Sequence, residues 1–370
     1  MVRWFGLAAA ATAECMLLVS SVAFGLGFAV QRSAQVSTGV GPLTFSSTRN
    51  AVSAIIMLTF RRKIRATFGG DSNANVSSVP ARQTSNTKLW KYGLIAGISM
   101  TGGSGLQQIG LVSVPAGKAA FLTSLYVIII PFVECDAKAT TYISATVAAV
   151  GVYLLSGCAE TGAQCTGGPM GYGDFAILVS LAFWVLSFIN ADRAADAQGV
   201  NVIDVTTVEF SVAAVLSLFL SAALETHEYS YPFADIYQAA TLILLSAVLE
   251  CVGFTLSILA QEEVSVSRAA LISSLDGVVA AFAGLGFLSE TMTMVGVFGA
   301  VLVVVSTTVT SSDDGAHKQS TTGVFAPLPL EDPDTLELVA VAMYPRDENQ
   351  GEHMLATEES GEYAGGAVVA

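Results

Sequence analysis

A series of ten long apolar stretches is the strongest constraint on this chain. Each is about 20 residues long, the length that an α-helix needs to cross a hydrocarbon core about 30 Å thick. They predict ten transmembrane helices, at about residues 12–31, 43–60, 89–111, 116–133, 139–157, 173–191, 202–224, 236–260, 264–287 and 292–310. Only 12% of the residues are charged and the mean hydropathy is +0.63, whereas soluble domains carry about 25% charged residues. A soluble enzyme is therefore excluded.

The formal charge of −14 is concentrated at the carboxyl end of the chain. Residues 311–370 hold 12 acidic and 2 basic side chains, four of the ten prolines and no sustained apolar period. Such a composition is typical of disorder, so we predict a disordered acidic tail. The remainder of the chain has no basic face, which argues against a nucleic-acid partner.

The connection at residues 61–91 is basic and predicts the orientation of the helices. It holds seven Lys and Arg residues against Asp71 alone, and its part between Gly69 and Thr87 is rich in Ser, Asn, Gly and Pro, which predicts flexibility. Positively charged connections lie on the cytoplasmic side of a membrane. Ten crossings then put both termini in the cytoplasm, and the sequence carries no address that identifies the membrane.

An internal repeat divides the transmembrane part in two. Val114–Tyr126 aligns without a gap on Val264–Asp276, an offset of 150 residues, with five identical positions and a conserved positive charge at Lys118 and Arg268. A unit of five helices is odd in number, so two consecutive copies are inverted relative to each other, as in many secondary transporters. The predicted organisation is an N-terminal segment (1–11), a first repeat (12–157), a connection (158–172), a second repeat (173–310) and the tail (311–370).

The residues of both halves resemble a known family. The stretch from Gln108 to Pro131 is similar to the third and fourth helices of EamA-type members of the drug/metabolite transporter superfamily, and Arg268–Leu275 is similar to the ninth. Phe24-Gly25 stands where the family usually has Trp-Gly, and Asp276-Gly277 where it has Glu-Pro. The resemblance implies an all-α polytopic membrane protein with ten helices in two inverted five-helix repeats. It also implies transport of small organic metabolites by alternating access.

Ionisable side chains inside predicted helices are candidate site residues, because each costs about 2.5–3.5 kcal/mol at the bilayer centre. Counting 1.5 Å per residue from the helix ends places four of them in one central layer. These four are Arg49, Glu209, Glu250 and Asp276. We predict that they line a polar cavity in which a carboxylate takes a proton or a substrate amine and the guanidinium faces an anionic group. The alternative is that they only pair with one another as interhelical contacts.

Six further side chains are secondary candidates. Gln107 and Tyr126 are placed to hydrogen-bond a ligand or a neighbouring helix. Lys118 and Arg268 begin equivalent helices at opposite faces of the membrane, where they snorkel or pair to close a gate. Glu134 and Glu290 end the corresponding helices, 156 residues apart, and predict capping or gating.

Catalytic and metal-binding signatures are absent from the sequence. There is no GxSxG, HExxH or GxxxxGK[ST] motif and no Cys/His spacing typical of a metal site, so we predict no enzyme activity, cofactor or metal. Cys158 and Cys165 either pair or remain free thiols. The predicted function is secondary-active transport or export of small organic metabolites, with an ion channel or cation carrier, or a non-transporting scaffold, as alternatives. Its predicted partners are a small-molecule substrate, a coupling proton or exchanged metabolite, and the lipid bilayer, with a homodimer left open.

Overall fold

The computed structural model describes residues 2–68, 86–134, 139–155, 171–225, 236–290 and 294–313. They lie in one compact unit, Met1–Thr321, and the second unit, Thr322–Ala370, falls outside the described residues together with most of the predicted tail. Cys158 and Cys165 also fall outside them. In the described ranges every regular element is a helix: α1 (Val2–Ser37), α2 (Pro42–Phe68), α3 (Asn86–Gly110), α4 (Ala116–Ser124), α5 (Tyr126–Glu134), α6 (Ala139–Leu155), α7 (Tyr172–Asp196), α8 (Val202–Leu224), α9 (Ile236–Ala260), α10 (Val266–Ser273), α11 (Leu275–Phe287) and α12 (Met294–Asp313).

Six segments of this structure are long and apolar enough to span a membrane: Ala11–Ser37, Ala116–Val133, Tyr172–Asp196, Val202–Leu224, Ile236–Ala260 and Val266–Phe287. They make the chain an integral multi-pass membrane protein and confirm six of the predicted crossings as membrane-competent. The other four predicted crossings coincide in position with α2, α3, α6 and α12, and their status as transmembrane helices remains a prediction.

Several helices are longer than the predicted spans. The first begins at Val2 rather than near residue 12, and the second continues through the basic cluster to Phe68. The third already begins at Asn86, so only residues 69–85 of the predicted basic connection lie outside the described helices. The reason is that hydropathy marks only the apolar centre of a span, whereas Lys and Arg are good helix formers and continue the helix beyond it.

The predicted fourth and ninth helices are each divided into two. The first division falls at Leu125, between α4 and α5, and the second at Ser274, between α10 and α11. Serine hydroxyls accompany both divisions: Ser124 Oγ donates to the Ala120 carbonyl at 2.8 Å, and Ser274 Oγ to the Leu271 carbonyl at 2.6 Å. Such bonds compete with the backbone ladder of a helix. The two divisions bring polar groups to the centre of the bundle.

The helices of the two halves pack on one another in matching pairs. Helix α3 packs along α7, α9 packs along α1, α2 packs along α8 and α6 packs along α12. Glycines allow the closest of these approaches: a Cβ at Gly103 would lie 2.9 Å from the Trp184 indole, and one at Gly253 would lie 2.6 Å from the Phe24 ring. In both places an aromatic side chain of one half therefore lies on a glycine of the other.

Contacts between helix ends define two opposite faces of the bundle. At the face that we call the Lys118 face, Arg32 Nη1 donates to the Leu111 carbonyl at 2.6 Å, close to where α4 begins. At the opposite face, the Arg268 face, Glu14 contacts the start of α10. Glu14 and Arg32 are separated along α1 by about 27 Å, close to the thickness of a hydrocarbon core.

Candidate functional site

A cavity lies between the two halves and contains every predicted substrate-binding residue. Helices α1, α2, α3, α5, α7, α8, α9 and α11 all contribute side chains to its wall. The predicted residues among them are Arg49, Gln107, Tyr126, Glu209, Glu250 and Asp276. The structure therefore brings these six residues together, while their role in binding or coupling remains a proposal.

Arg49 and Glu250 form a buried ion pair between α2 and α9. Arg49 Nε lies 2.9 Å from Glu250 Oε2, and their side chains are 1% and 8% exposed. Ser53, one helical turn further along α2, places its hydroxyl 3.5 Å from the same carboxylate oxygen. Each of the two groups therefore has an oppositely charged partner for its ionised form in a buried site.

Glu209 is the carboxylate of the cavity that has no such partner. It lies on α8, is 4% exposed and is close enough to Glu250 to interact with it electrostatically. Its side chain accepts no hydrogen bond and joins no ion pair within the described part of the chain. The carboxylate faces the cavity rather than another side chain.

Asp276 stands at the beginning of α11, directly after the division of the ninth predicted helix. Its Oδ1 accepts a hydrogen bond of 2.9 Å from Ser124 Oγ, at the end of α4. Tyr126 begins α5 and is buried in the same part of the cavity. The two helix divisions thus meet at one point, where the end of each interrupted helix supplies a polar side chain.

Aromatic rings cover much of the remaining cavity wall. Phe24 and Phe254 meet edge to face with ring centroids 5.1 Å apart, and Trp184 lies 5.9 Å from Phe254. Trp184 Nε1 donates to Gln107 Oε1 at 3.1 Å, so the predicted glutamine orients an indole of the other half. The cavity combines an apolar aromatic wall with a small number of charged groups, as ligand sites commonly do.

An ion pair joins helices of the two halves at each face. At the Lys118 face, Lys118 Nζ lies 2.8 Å from Asp174 Oδ1 and both side chains are buried. At the Arg268 face, Arg268 pairs with Glu14. Each pair joins the predicted first repeat to the second: Lys118 on α4 contacts Asp174 on α7, and Arg268 on α10 contacts Glu14 on α1.

Glu290 caps a helix of the other half. Its Oε1 accepts the Ala116 N–H at 2.9 Å and its Oε2 accepts the Gly117 N–H at 3.3 Å. These are donors of the first turn of α4, which no intrahelical carbonyl satisfies. Glu134 ends α5, and its side chain lies outside the described residues.

Several side chains of the site were not among the predicted residues. Glu14 and Asp174 complete the two ion pairs, and Ser124 holds Asp276. A signal for the two acids exists in the sequence, because they lie 160 residues apart in the first helix of each predicted repeat. No group of three or more His, Cys, Asp or Glu side chains suited to a metal ion occurs in the described ranges.

The fold and the cavity define a class: a polytopic helical membrane protein with a polar, aromatic-lined cavity between its two halves. Residues 171–312 match the EamA-like transporter family. The match covers α7 to α12 and confirms the resemblance to the drug/metabolite transporter superfamily. It indicates a membrane transporter of small molecules, in a family that is generally not enzymatic.

The chain also matches solved structures. One, described only as the crystal structure of a protein, aligns with a TM-score of 0.55 and 12% sequence identity over 79% of this chain and 98% of its own. At that identity the likeness shows a shared fold alone. A search of curated proteins gives no match to the chain.

Proposed function

We infer that this protein is a secondary-active transporter or exporter of small organic metabolites, with the cavity as its substrate site. One observation carries the inference: helices of both halves surround a buried cavity that contains Glu209, Glu250 and Asp276. Intramembrane carboxylates are costly and mark substrate or ion pathways. A structural role alone explains the Arg49–Glu250 pair, but it does not explain an unpaired glutamate beside that pair.

Two inverted repeats provide the mechanism in this proposal. The packing of α3 on α7 and of α9 on α1 supports it, because each contact joins the third helix of one repeat to the first helix of the other. The positions of Gly103 and Gly253, 150 residues apart and each against an aromatic ring, support it as well. Rocking one repeat against the other then exposes the same cavity to each side of the membrane in turn.

The ion pairs at the two faces act as gates in this mechanism. Lys118 and Arg268 occupy equivalent repeat positions at an offset of 150, and Asp174 and Glu14 do so at an offset of 160. Each pair joins the two repeats at one face, so opening that face breaks its pair while the other holds. The positive charge of the predicted connection 61–91 supports a cytoplasmic Arg268 face.

The first experiment combines ligand screening with solute counterflow. The purified full-length chain is screened for thermal stabilisation by amino acids, sugars, nucleotides, organic acids and amines, and each stabilising compound is tested for counterflow in reconstituted vesicles. We expect at least one compound to exchange, and Asp276→Asn to abolish that exchange. Asp204→Asn is the matched control, because Asp204 pairs with Arg65 at 3.1 Å outside the cavity.

The alternatives predict different results. Ion conductance without counterflow would indicate a channel, and uptake of a metal cation without an organic counter-substrate would indicate an ion carrier. Folded protein that shows neither flux nor conductance would indicate a scaffold. Counterflow that persists in a folded Asp276→Asn variant would contradict the assignment of the cavity as substrate site.

A further inference from the structure

We propose that the cavity selects organic cations, namely amines or quaternary ammonium compounds with an apolar body, over anions of the same shape. The inference rests on the proposed function and names the substrate class of the same site. Three features of the cavity support it: carboxyl groups without a basic partner, an enclosed guanidinium and a wall of aromatic rings.

The charge balance of the cavity favours a cationic ligand. Three carboxylates, Glu209, Glu250 and Asp276, line it together with a single cation, Arg49. That cation lies 2.9 Å from Glu250. Two carboxylates are therefore left without a basic side chain in the cavity wall.

The Arg49 guanidinium is enclosed and lies beside Glu250. Its side chain is 1% exposed, and both Nε and Nη2 lack solvent-accessible surface. An anionic substrate that displaced Glu250 from Arg49 Nε would leave that carboxylate buried and unpaired, which is costly in an apolar interior. The proposal therefore differs from the sequence-based expectation that the guanidinium faces an anionic group of the substrate.

Glu209 is the group that points to a ligand. It is an ionisable side chain, 4% exposed, in the cavity wall, and it has no hydrogen-bond or ion-pair partner in the described ranges. A buried carboxylate without a partner loses its hydration and gains nothing in return. A ligand ammonium in the cavity would supply the missing partner, whereas a ligand carboxylate would add a like charge.

The aromatic wall fits the same class of ligand. Phe24, Trp184 and Phe254 form one contiguous group of rings on the cavity wall. The face of an aromatic ring attracts a desolvated cation, an interaction worth about 2 kcal/mol or more when water is excluded. The same rings bury the apolar body of the ligand. An amphipathic amine satisfies both features at once.

The test uses four probes that share a phenyl group. Phenyltrimethylammonium and 2-phenylethylamine are cationic, 2-phenylethanol is neutral and 3-phenylpropanoate is anionic. Binding to the detergent-purified full-length chain is measured by thermal unfolding over a concentration series. We expect at least one cationic probe to bind with a dissociation constant at least tenfold lower than those of the neutral and anionic probes. Glu209→Gln and Asp276→Asn should each weaken that binding at least tenfold, and Asp204→Asn should leave it unchanged.

The other outcomes separate this inference from the proposed function. If the anionic probe binds most tightly and Glu209→Gln alters its affinity, the cavity binds ligands but the cationic class is wrong. If none of the four probes binds, or if cation binding is unchanged in folded Glu209→Gln and Asp276→Asn variants, the inference is also overturned. Counterflow of another metabolite would in that case still support a transporter.

Discussion

The ion pairs at the two faces predict that equivalent substitutions have opposite effects on which side of the membrane the cavity faces. Asp174→Asn breaks the pair with Lys118 at one face, and Glu14→Gln breaks the pair with Arg268 at the other. Both changes replace a carboxylate by an amide of the same shape. In alternating access, weakening one gate raises the population that is open at that face and lowers the population open at the opposite face.

The size of each effect follows from burial. Lys118 and Asp174 are 7% and 6% exposed, so removing one charge of their ion pair should cost about 1.5–3 kcal/mol. Its loss should change the ratio of the two open states by roughly 10-fold to 150-fold. Glu14 is 26% exposed, and solvent screens its pair, so the expected contribution is about 1 kcal/mol and the change about fivefold in the opposite direction.

Thiol labelling from each side of the membrane measures these populations. Ser104 and Ser257 both line the cavity, near the end of α3 at the Lys118 face and near the end of α9 at the Arg268 face. Each is changed to cysteine, separately, in a chain whose five native cysteines are replaced by alanine. With an impermeant reagent, Asp174→Asn should speed labelling of Ser104→Cys and slow labelling of Ser257→Cys, and Glu14→Gln should do the reverse. Faster labelling at the same face in both variants would refute the gating mechanism, as would unchanged rates at both faces in folded protein.

Three stability predictions follow from contacts of the site. Arg49→Met or Glu250→Gln alone should destabilise the protein by about 3–5 kcal/mol, because each leaves a buried charge without its partner. In denaturant unfolding, the double variant should recover most of this loss. A loss in the double variant equal to the sum of the two single losses would contradict the pairing. Gly103→Ala forces the indole beside it to move and should cost about 1–3 kcal/mol, whereas Gly286→Ala, with nothing within 4 Å of the added Cβ, should be neutral or slightly stabilising in thermal unfolding. Glu290→Ala removes the cap of α4 and should cost about 0.5–2 kcal/mol of folding free energy. In hydrogen exchange, protection of the first turn of α4 should fall while protection of α8 stays unchanged. Equal loss of protection in both helices would indicate global destabilisation rather than loss of the cap.

The positions of helices along the chain, and the depth of a residue within a helix, can be predicted from the sequence. The apolar period locates the helices, and 1.5 Å per residue places Arg49, Glu209, Glu250 and Asp276 at similar depth, which agrees with their common cavity. The pairing of Arg49 with Glu250 could not be chosen on that basis, because depth does not give the direction in which a side chain leaves its helix. The enclosure of the guanidinium beside Glu250 is therefore visible only in the structure.

The two acids of the ion pairs, Glu14 and Asp174, could not be predicted for a different physical reason. The repeat was detected at an offset of 150, where Lys118 and Arg268 coincide, but Glu14 and Asp174 coincide only at an offset of 160. The ten-residue difference has two parts. Helix α2 has 27 residues and α8 has 23, and the connection from α2 to α3, residues 69–85, is six residues longer than the connection from α8 to α9, residues 225–235. An ungapped alignment of the two halves has a single offset. The alignment that pairs Lys118 with Arg268 therefore does not pair Glu14 with Asp174.

Positions related by the two offsets are alike in charge type at the faces of the bundle and unlike at its centre. In the proposed mechanism, this difference allows one substrate site to open to either face. At the two faces, Lys118 and Arg268 are basic at equivalent positions, so in the proposed mechanism each face closes with the same kind of ion pair. At the centre the equivalence is broken: Arg49 and Glu209 are 160 residues apart and carry opposite charges. Symmetric ends allow the two open states to have similar free energies. Under the proposed function and the cation preference proposed above, an asymmetric centre gives the site the same charge preference whichever face is open.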